Sequence, residues 1–511
     1  MNFNSSIDDR FVYQVIDTWA QNHPEQIVYQ HQDTTYTYGQ LKSYSDRVAC
    51  YLTKEFPDRR PIVVFGGQQM EMLVLFLAAS KSGHAYIPID THTPVERIEL
   101  ILSVADPSMI FAVDQWPLKT SDYPVIISEE LSTIIETFEE VVPLQGITLD
   151  ETYYIIFTSG TTGVPKGVQI SQRNLWSFIE WECRALGIKQ NDRFLSQAPF
   201  SFDLSVMSIY PALVTGGALV PMEKTVIEDF KQLFATLPTL PIDVWVSTPS
   251  FMDICLMEKH FDQQHLPQLR VFLFCGEELT KETATLLMTR FPEAEIYNTY
   301  GPTEATVAVS GINITSTIVE QYPRLPIGKV KEDTTVVILD EGRVCEPLEK
   351  GEIVIVGPSV SKGYLNNPEK TAQAFFEFEG QPAYRTGDAG FFTTDHVLCY
   401  DGRLDFQIKL HGYRMELEEI DHHLMNVSLV KQASTVPKYK DHKVQQLVAY
   451  IVAEDNEYEK AFQLTKAIKA ELAQQVMPYM IPQKFVYVSQ LPRTINGKID
   501  RKALIAEVNA I

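Results

Sequence analysis

Residues 154–168 read YIIFTSGTTGVPKGV. A run of strand-forming residues enters ten positions dominated by Gly, Ser and Thr, and Lys166 stands near their end. Glycine lets backbone amides approach an anion closely, hydroxyls add hydrogen bonds, and lysine supplies charge. The stretch is read as a strand feeding a phosphate-binding loop. Thr158, Ser159, Gly160, Thr161, Thr162 and Lys166 are its candidate nucleotide ligands. It is not a Walker A loop, because Lys166 lies between Pro165 and Gly167 instead of in Gly-Lys-Ser/Thr. A plain Gly/Ser/Thr surface hairpin is the alternative reading.

On either side, short apolar runs alternate with amphipathic stretches, the pattern of α/β architecture. Residues 61–65, 86–90, 244–247 and 270–274 read as strands, followed by helices over 68–81, 94–104, 250–258 and 280–290. Beyond residue 330 strands and turns take over, at 335–339, 351–356 and 397–400, with a turn at Asp401-Gly402. Residues 404–511 carry 14 Lys/Arg against 13 Asp/Glu, and the preceding part carries 29 against 53. This asymmetry predicts a boundary near residue 403, giving domains over 1–402 and 403–511. With 511 residues, 45% of them hydrophobic, the chain is an ordinary globular one with room for more than one core. The formal charge of −23 opposes non-specific binding to nucleic acid or anionic lipid.

Four further strings follow in order: NTYGPTE at 298–304, YRTGD at 384–388, GRLDFQIKLHGYRME at 402–416 and NGKIDR at 496–501. Taken singly, each has a plain reading. Asp388 would be a turn residue, Tyr300 core, Glu304 a solvated carboxylate, and Arg403 and Lys498 surface cations. Together with TSGTTGVPKG at 158–167, they resemble the ordered motifs of the adenylate-forming superfamily, over essentially the whole chain. That superfamily contains acyl-CoA synthetases, luciferases and peptide-synthetase adenylation domains.

The resemblance implies a large N-terminal α/β domain of two sheet-and-helix subdomains and a β-rich one. A small mobile α+β lid would follow a hinge near Asp405. It implies ATP and Mg²⁺ as cofactors. Asn298, Thr299, Tyr300, Gly301, Pro302 and Thr303 would receive the nucleotide, with Tyr300 stacking on adenine. Asp388 would accept the ribose hydroxyls, a geometry suited to an ionised acceptor. Tyr400, Asp401, Gly402 and Arg403 would complete the nucleotide site, and Glu304 would hold Mg²⁺, a hard cation suited to oxygen ligands. Lys498 would be the catalytic lysine, offsetting repulsion between the substrate carboxylate and the α-phosphate. Gly412 would line the passage of a pantetheine arm.

The segment APFSFDLSVM at 198–207 bears on the acid that is activated. Asp203, set between apolar runs, needs a cation or donors if buried. An α-ammonium would serve, as in amino-acid-activating members; a helix N-cap is the other reading. The pocket positions carried over are Leu204, Met207, Leu273, Cys275, Thr299 and Val307, and they favour a small amino acid. Cys275 is read as pocket wall, without a His-containing motif beside it. The segments 197–207, 272–277 and 405–419 resemble the branch that charges a D-alanyl carrier protein bearing phosphopantetheine, for teichoic-acid modification in Gram-positive bacteria. D-alanine over L-alanine rests on that resemblance, and the carrier is expected as a separate chain. Ligases for L-alanine, glycine or a short acid with coenzyme A, and a non-catalytic nucleotide sensor, remain alternatives.

The first 25 residues show neither a secretory core nor a transit pattern, and no apolar run reaches the ~20 residues of a bilayer span. Six scattered cysteines without a CxxC pair suggest neither disulfides nor zinc. The expectation is a cytoplasmic monomer with no membrane insertion and no nucleic-acid partner.

Overall fold

In the computed structural model, residues 11–160, 163–410, 412–440, 443–493 and 499–510 are described. The chain divides into two compact units. One comprises Met1–Thr91, Ala105–Ile156 and Gly167–Gly402, the other His92–Val104, Phe157–Lys166 and Arg403–Ile511.

The first unit is built from fully buried strands such as Ile62–Phe65, Val244–Ser247 and Val271–Phe274, whose side chains are shielded on both faces. That is the pattern of parallel sheets covered by helices. A nine-stranded sheet runs in the order Lys329–Val330, Ser310–Asn313, Glu295–Tyr300, Val271–Phe274, Val244–Ser247, Arg193–Ser196, Ala218–Pro221, Ile27–His31, Thr34–Thr37. Its interior neighbours are parallel and its edges antiparallel. A six-stranded sheet has the order Val125–Ile127, Met109–Ala112, Ile62–Phe65, Tyr86–Ile89, Thr152–Thr158, Lys166–Ser171. A third, antiparallel sheet holds Thr335–Asp340, Gly351–Val356 and the long strand Gln381–Phe392. The second unit contains the hairpin Gln407–Leu410 with Tyr413–Glu416. It also has a three-stranded sheet and the helices Leu417–Met425, Ala461–Leu472 and Arg501–Asn509.

The helices expected over 68–81, 94–104, 250–258 and 280–290 are present as Met70–Ser82, Val95–Ala105, Pro249–Cys255 and Lys281–Arg290. Residues 401–402 differ from expectation. The strand Leu398–Arg403 continues through them instead of turning, and Gly402 takes a φ of +118°, open to glycine. The charged run after it forms the hairpin and then the helix Leu417–Met425. All six cysteines are free thiols.

An aromatic cluster in the first unit fixes the helix that follows Asp203. Phe76 and Tyr86 stack with centroids 4.1 Å apart, and the Tyr86 and Tyr210 hydroxyls are 2.6 Å apart. Burying such a side chain stabilises the fold by about 1.5–3 kcal/mol. Tyr210 lies on the helix Val206–Val214, so this contact anchors the element that carries Met207.

Glu182, in the helix Gln172–Ala185, is fully buried, and neither carboxylate oxygen has a hydrogen-bond partner. Burial pushes its pKa well above the model-compound value of 4.5. The folded chain therefore keeps a proton that the unfolded chain loses, and stability falls as pH rises above that value. Glu182→Met is expected to stabilise the protein by about 1–3 kcal/mol near neutral pH, with a smaller gain near pH 4.5. Denaturant unfolding at both pH values checks this; an equal gain at both would mean that the carboxyl is not held protonated.

Candidate active site

In the first unit, the strand Glu295–Tyr300 delivers the 298–304 string to one strand end. Two of its side chains bind the scaffold. Asn298 Nδ2 donates to the Pro326 carbonyl at 2.8 Å, and Thr299 Oγ1 to the Phe274 carbonyl at 2.8 Å. The chain then turns through Gly301-Pro302 into the short 3₁₀ helix Thr303–Ala305. A Cβ on Gly301 would lie 2.6 Å from Ala308 Cα and 2.7 Å from the Val307 carbonyl, so only glycine fits this close return. Thr306 and Val307 both take left-handed backbone angles, φ +58° and +67°. For the β-branched Val307 that is a strained conformation of the kind stored at functional sites.

Tyr300 is buried, and its hydroxyl donates to Asp388 Oδ2 at 2.5 Å. Burial raises its pKa, with the Asp388 charge adding to the effect. A bulge aims Asp388. The strand Gln381–Phe392 pairs Arg385 with Val354 and Ala389 with Glu352, so Thr386, Gly387 and Asp388 stand opposite one residue. The Thr386 hydroxyl donates to the Ile353 carbonyl and accepts from the Asp388 amide, and the Glu352 carboxylate accepts from the Gly387 amide. The Tyr400 ring lies 6.3 Å from that of Tyr300, with the Arg324 guanidinium 4.9 Å over it. Asp401 pairs with Lys350 at 2.8 Å.

Glu304 is fully buried, its Oε1 accepting from the Tyr364 hydroxyl at 2.8 Å. Among the described residues no group of three His, Cys, Asp or Glu gathers to hold a metal. A nucleotide-borne Mg²⁺ needs only one or two protein carboxylates, because phosphate oxygens and waters complete its octahedron. A single carboxylate such as Glu304 fits that donor set.

Asp203 is half-buried and opens a 3₁₀ turn, Asp203–Ser205. It does not cap the helix Val206–Val214, where Ser205 holds the cap position. Its charge reaches the buried Tyr154 hydroxyl, adding to the burial that raises that pKa. Leu204, Met207, Leu273, Cys275 and Val307 belong to one buried cluster. The Cys275 thiol points at the Val307 carbonyl, 3.7 Å away.

In the second unit, the Gly/Ser/Thr-rich loop folds back on itself. The Gly163 amide donates to the Gly160 carbonyl at 3.0 Å, and a Cβ on Gly160 would meet the Val164 carbonyl at 2.1 Å. Carboxylates face its donors. The Gly160 amide donates to Glu419 Oε2 at 3.1 Å, and Lys166 Nζ lies 3.8 Å from Glu416 Oε1. The Ser159 hydroxyl donates to the Arg414 carbonyl, and the buried Thr158 hydroxyl has no hydrogen-bond partner. A loop whose amide and ammonium already meet anionic oxygens, beside an unused buried hydroxyl, fits phosphate. Glu419 is fully buried and also accepts from Arg97 at 2.9 Å; burial raises its pKa against the pull of that guanidinium. Arg403 grips Asp405, two residues on. Gly412 supplies a left-handed φ of +83° at the hairpin turn.

Thr161, Thr162 and Lys498 lie outside the described residues. Arg97, Tyr364, Glu416 and Glu419 went unread in the sequence. No local spacing links Arg97 or Tyr364 to the loop or to Glu304, although Glu416 and Glu419 sit three apart in a segment already flagged.

The sequence pattern of the AMP-binding enzyme family matches residues 16–365, and that of the AMP-binding enzyme C-terminal domain matches 419–498. The chain is 54% identical over 501 residues to the D-alanine–D-alanyl carrier protein ligase of Lacticaseibacillus casei (strain BL23), covering 98% of this chain and 99% of that one. It is 50% identical over 502 residues to the protein of the same name from Listeria welshimeri, covering 97% and 98%. Among solved structures, o-succinylbenzoate CoA synthetase from Bacillus subtilis superposes with a TM-score of 0.83 at 21% identity, covering 96% and 98%. Sequence pattern, relatives and fold agree: the chain belongs to the AMP-binding enzyme family and has the adenylate-forming fold.

Proposed function

We propose that this chain activates D-alanine with ATP and passes the alanyl group to the phosphopantetheine thiol of a D-alanyl carrier protein, for D-alanylation of (lipo)teichoic acid. The observation that carries this reading is the shared name of relatives 50–54% identical over nearly the full chain. In the first half-reaction a carboxylate oxygen of D-alanine bonds to the α-phosphorus, and the bond to pyrophosphate breaks. In the second, the carrier thiolate attacks the carbonyl carbon, and AMP leaves with the electron pair of the broken C–O bond.

The residues divide this work by chemistry. Asp203 holds the α-ammonium, and Met207, Cys275 and Val307 leave room for a methyl group. Asp388, anchored by Tyr300, takes the ribose hydroxyls. Thr158, Ser159, Gly160, Thr161, Thr162 and Lys166 cradle the phosphates. Glu304 would hold Mg²⁺ in part, and the cation would supply charge neutralisation on the phosphate oxygens. Lys498 offsets the repulsion between carboxylate and α-phosphate as they approach. No helix among the described residues is long and apolar enough to cross a membrane.

ATP–pyrophosphate exchange with D-alanine, L-alanine, glycine and short carboxylic acids tests the substrate. D-alanine should give the highest kcat/KM; equal exchange with L-alanine would overturn the assignment. Asp203→Ala should weaken D-alanine binding by ~3–5 kcal/mol, as for a broken desolvated ion pair, while ATP affinity stays within a few-fold. D-alanine affinity within a few-fold of wild type would remove the ammonium role. Tyr300→Phe deprives the buried Asp388 of a donor, a charged hydrogen bond that contributes about 1.5–3 kcal/mol. Calorimetry should show ATP binding weakened roughly 10- to 100-fold; unchanged binding would detach Asp388 from the nucleotide.

A further inference from the structure

The C-terminal helix Arg501–Asn509 begins three residues beyond Lys498. Its start is fixed on several sides. Arg493 and Ile499 form an antiparallel bridge, and the Asp500 amide donates to the Pro492 carbonyl at 2.8 Å. The Asp500 carboxylate accepts from the Ala503 amide as the helix N-cap. Arg501 then points away from its own helix. Its two terminal nitrogens bind Glu418 and Asp421, residues of the helix Leu417–Met425 more than seventy positions earlier. Its guanidinium lies 5.0 Å from the centre of the Phe406 ring, and its Nε is buried with no hydrogen-bond partner. Asp421 is held in turn, accepting from the Thr435 amide at 2.5 Å.

Anchoring a short helix does not by itself call for this arrangement. Leu504 and Val508 already bury its apolar side. A desolvated charge pair often contributes less stability than an apolar replacement, and its best-attested use is to fix register. Here the register is between two helices. The helix that grips Arg501 through Glu418 and Asp421 also presents Glu419 to the Gly160 amide and Arg97. Within one helical turn it therefore meets both the loop at Gly160 and Arg501, three residues beyond Lys498.

We propose that Arg501, gripped by Glu418 and Asp421 over the Phe406 ring, is a positioning residue for adenylate formation. It fixes the start of the C-terminal helix, three residues beyond Lys498 in the sequence, in one register on the helix Leu417–Met425. The inference rests on the reading of Lys498 as the group that works between carboxylate and α-phosphate. It assigns Arg501 no contact with substrate.

The test compares full-length Arg501→Gln, Asp421→Asn, Arg501→Lys and Lys498→Ala with wild type. Two rates are measured: pyrophosphate exchange with D-alanine, and single-turnover transfer from supplied D-alanyl-AMP to the phosphopantetheine-bearing carrier. Arg501→Gln should lower the exchange kcat at least tenfold with KM for ATP and D-alanine within threefold, while transfer stays within twofold. Asp421→Asn should show the same split in milder form, and Arg501→Lys should recover part of the exchange. Exchange within twofold of wild type in Arg501→Gln, or parallel loss of both rates, would overturn the positioning role; parallel loss would leave Arg501 as lid scaffolding. If Lys498→Ala loses exchange while Arg501→Gln keeps it, this inference alone fails. If Lys498→Ala keeps exchange, the reading of the lysine fails and takes the inference with it.

Discussion

A backbone turn that concentrates positive charge must be matched by anionic oxygen, and the close approach of Gly160 and Gly163 makes such a turn. Only glycine lets it close at position 160, because a Cβ there would strike the Val164 carbonyl. The resulting fold leaves an amide and the Lys166 ammonium as donors, and both face carboxylates, Glu419 and Glu416. The Glu419 carboxylate is wholly buried, yet it is stabilised by Arg97 and by that same amide. Removing Arg97 would leave the buried carboxylate with one neutral donor and no counter-charge, which is why such pairs are costly to break. The demand for anionic oxygen ties the helix Leu417–Met425 to the loop, and phosphate meets the same demand.

The rest of the site is an exercise in aiming. A strand alternates its side chains and cannot by itself turn a carboxylate toward a ligand; the three-residue bulge over 386–388 does so for Asp388. The Tyr300 hydroxyl then holds the carboxylate at one oxygen. On the acid side, the left-handed pair Thr306 and Val307 brings the Val307 carbonyl within 3.7 Å of Cys275. Strain of this size, of order 1–3 kcal/mol per residue, persists because neighbours hold it: the Thr306 hydroxyl donates to the Ser359 carbonyl at 2.8 Å.

Much of this was legible in the sequence, because Gly-rich loops and strand ends carry their chemistry in consecutive residues. The 158–167 loop, the order of Tyr300, Glu304 and Asp388, and the expected α/β strands and helices could all be read locally. Other features could not. The side chains of Asn298 and Thr299 bind the Pro326 and Phe274 carbonyls, contacts that the string does not announce. A motif string names residues without saying which way each side chain points. The 401–402 turn gave way to a strand because pairing with Gln381–Phe392 outweighed the local Asp-Gly preference. Tyr364 on Glu304 and Arg97 on Glu419 are contacts across 60 and 322 positions. No periodicity marks them, and only the folded chain brings them together.

The most direct test follows the alanyl group itself. The chain, ATP and Mg²⁺ are incubated with a carrier protein, with or without its phosphopantetheine, and with D- or L-alanine. Intact-mass spectrometry then reads the carrier while AMP release is quantified. The expected result is an alanyl thioester on the phosphopantetheine-bearing carrier alone, formed with D-alanine in strong preference to L-alanine, with one AMP released per group transferred. A carrier left unmodified while alanyl-AMP accumulates, or one charged equally with both enantiomers, would contradict it.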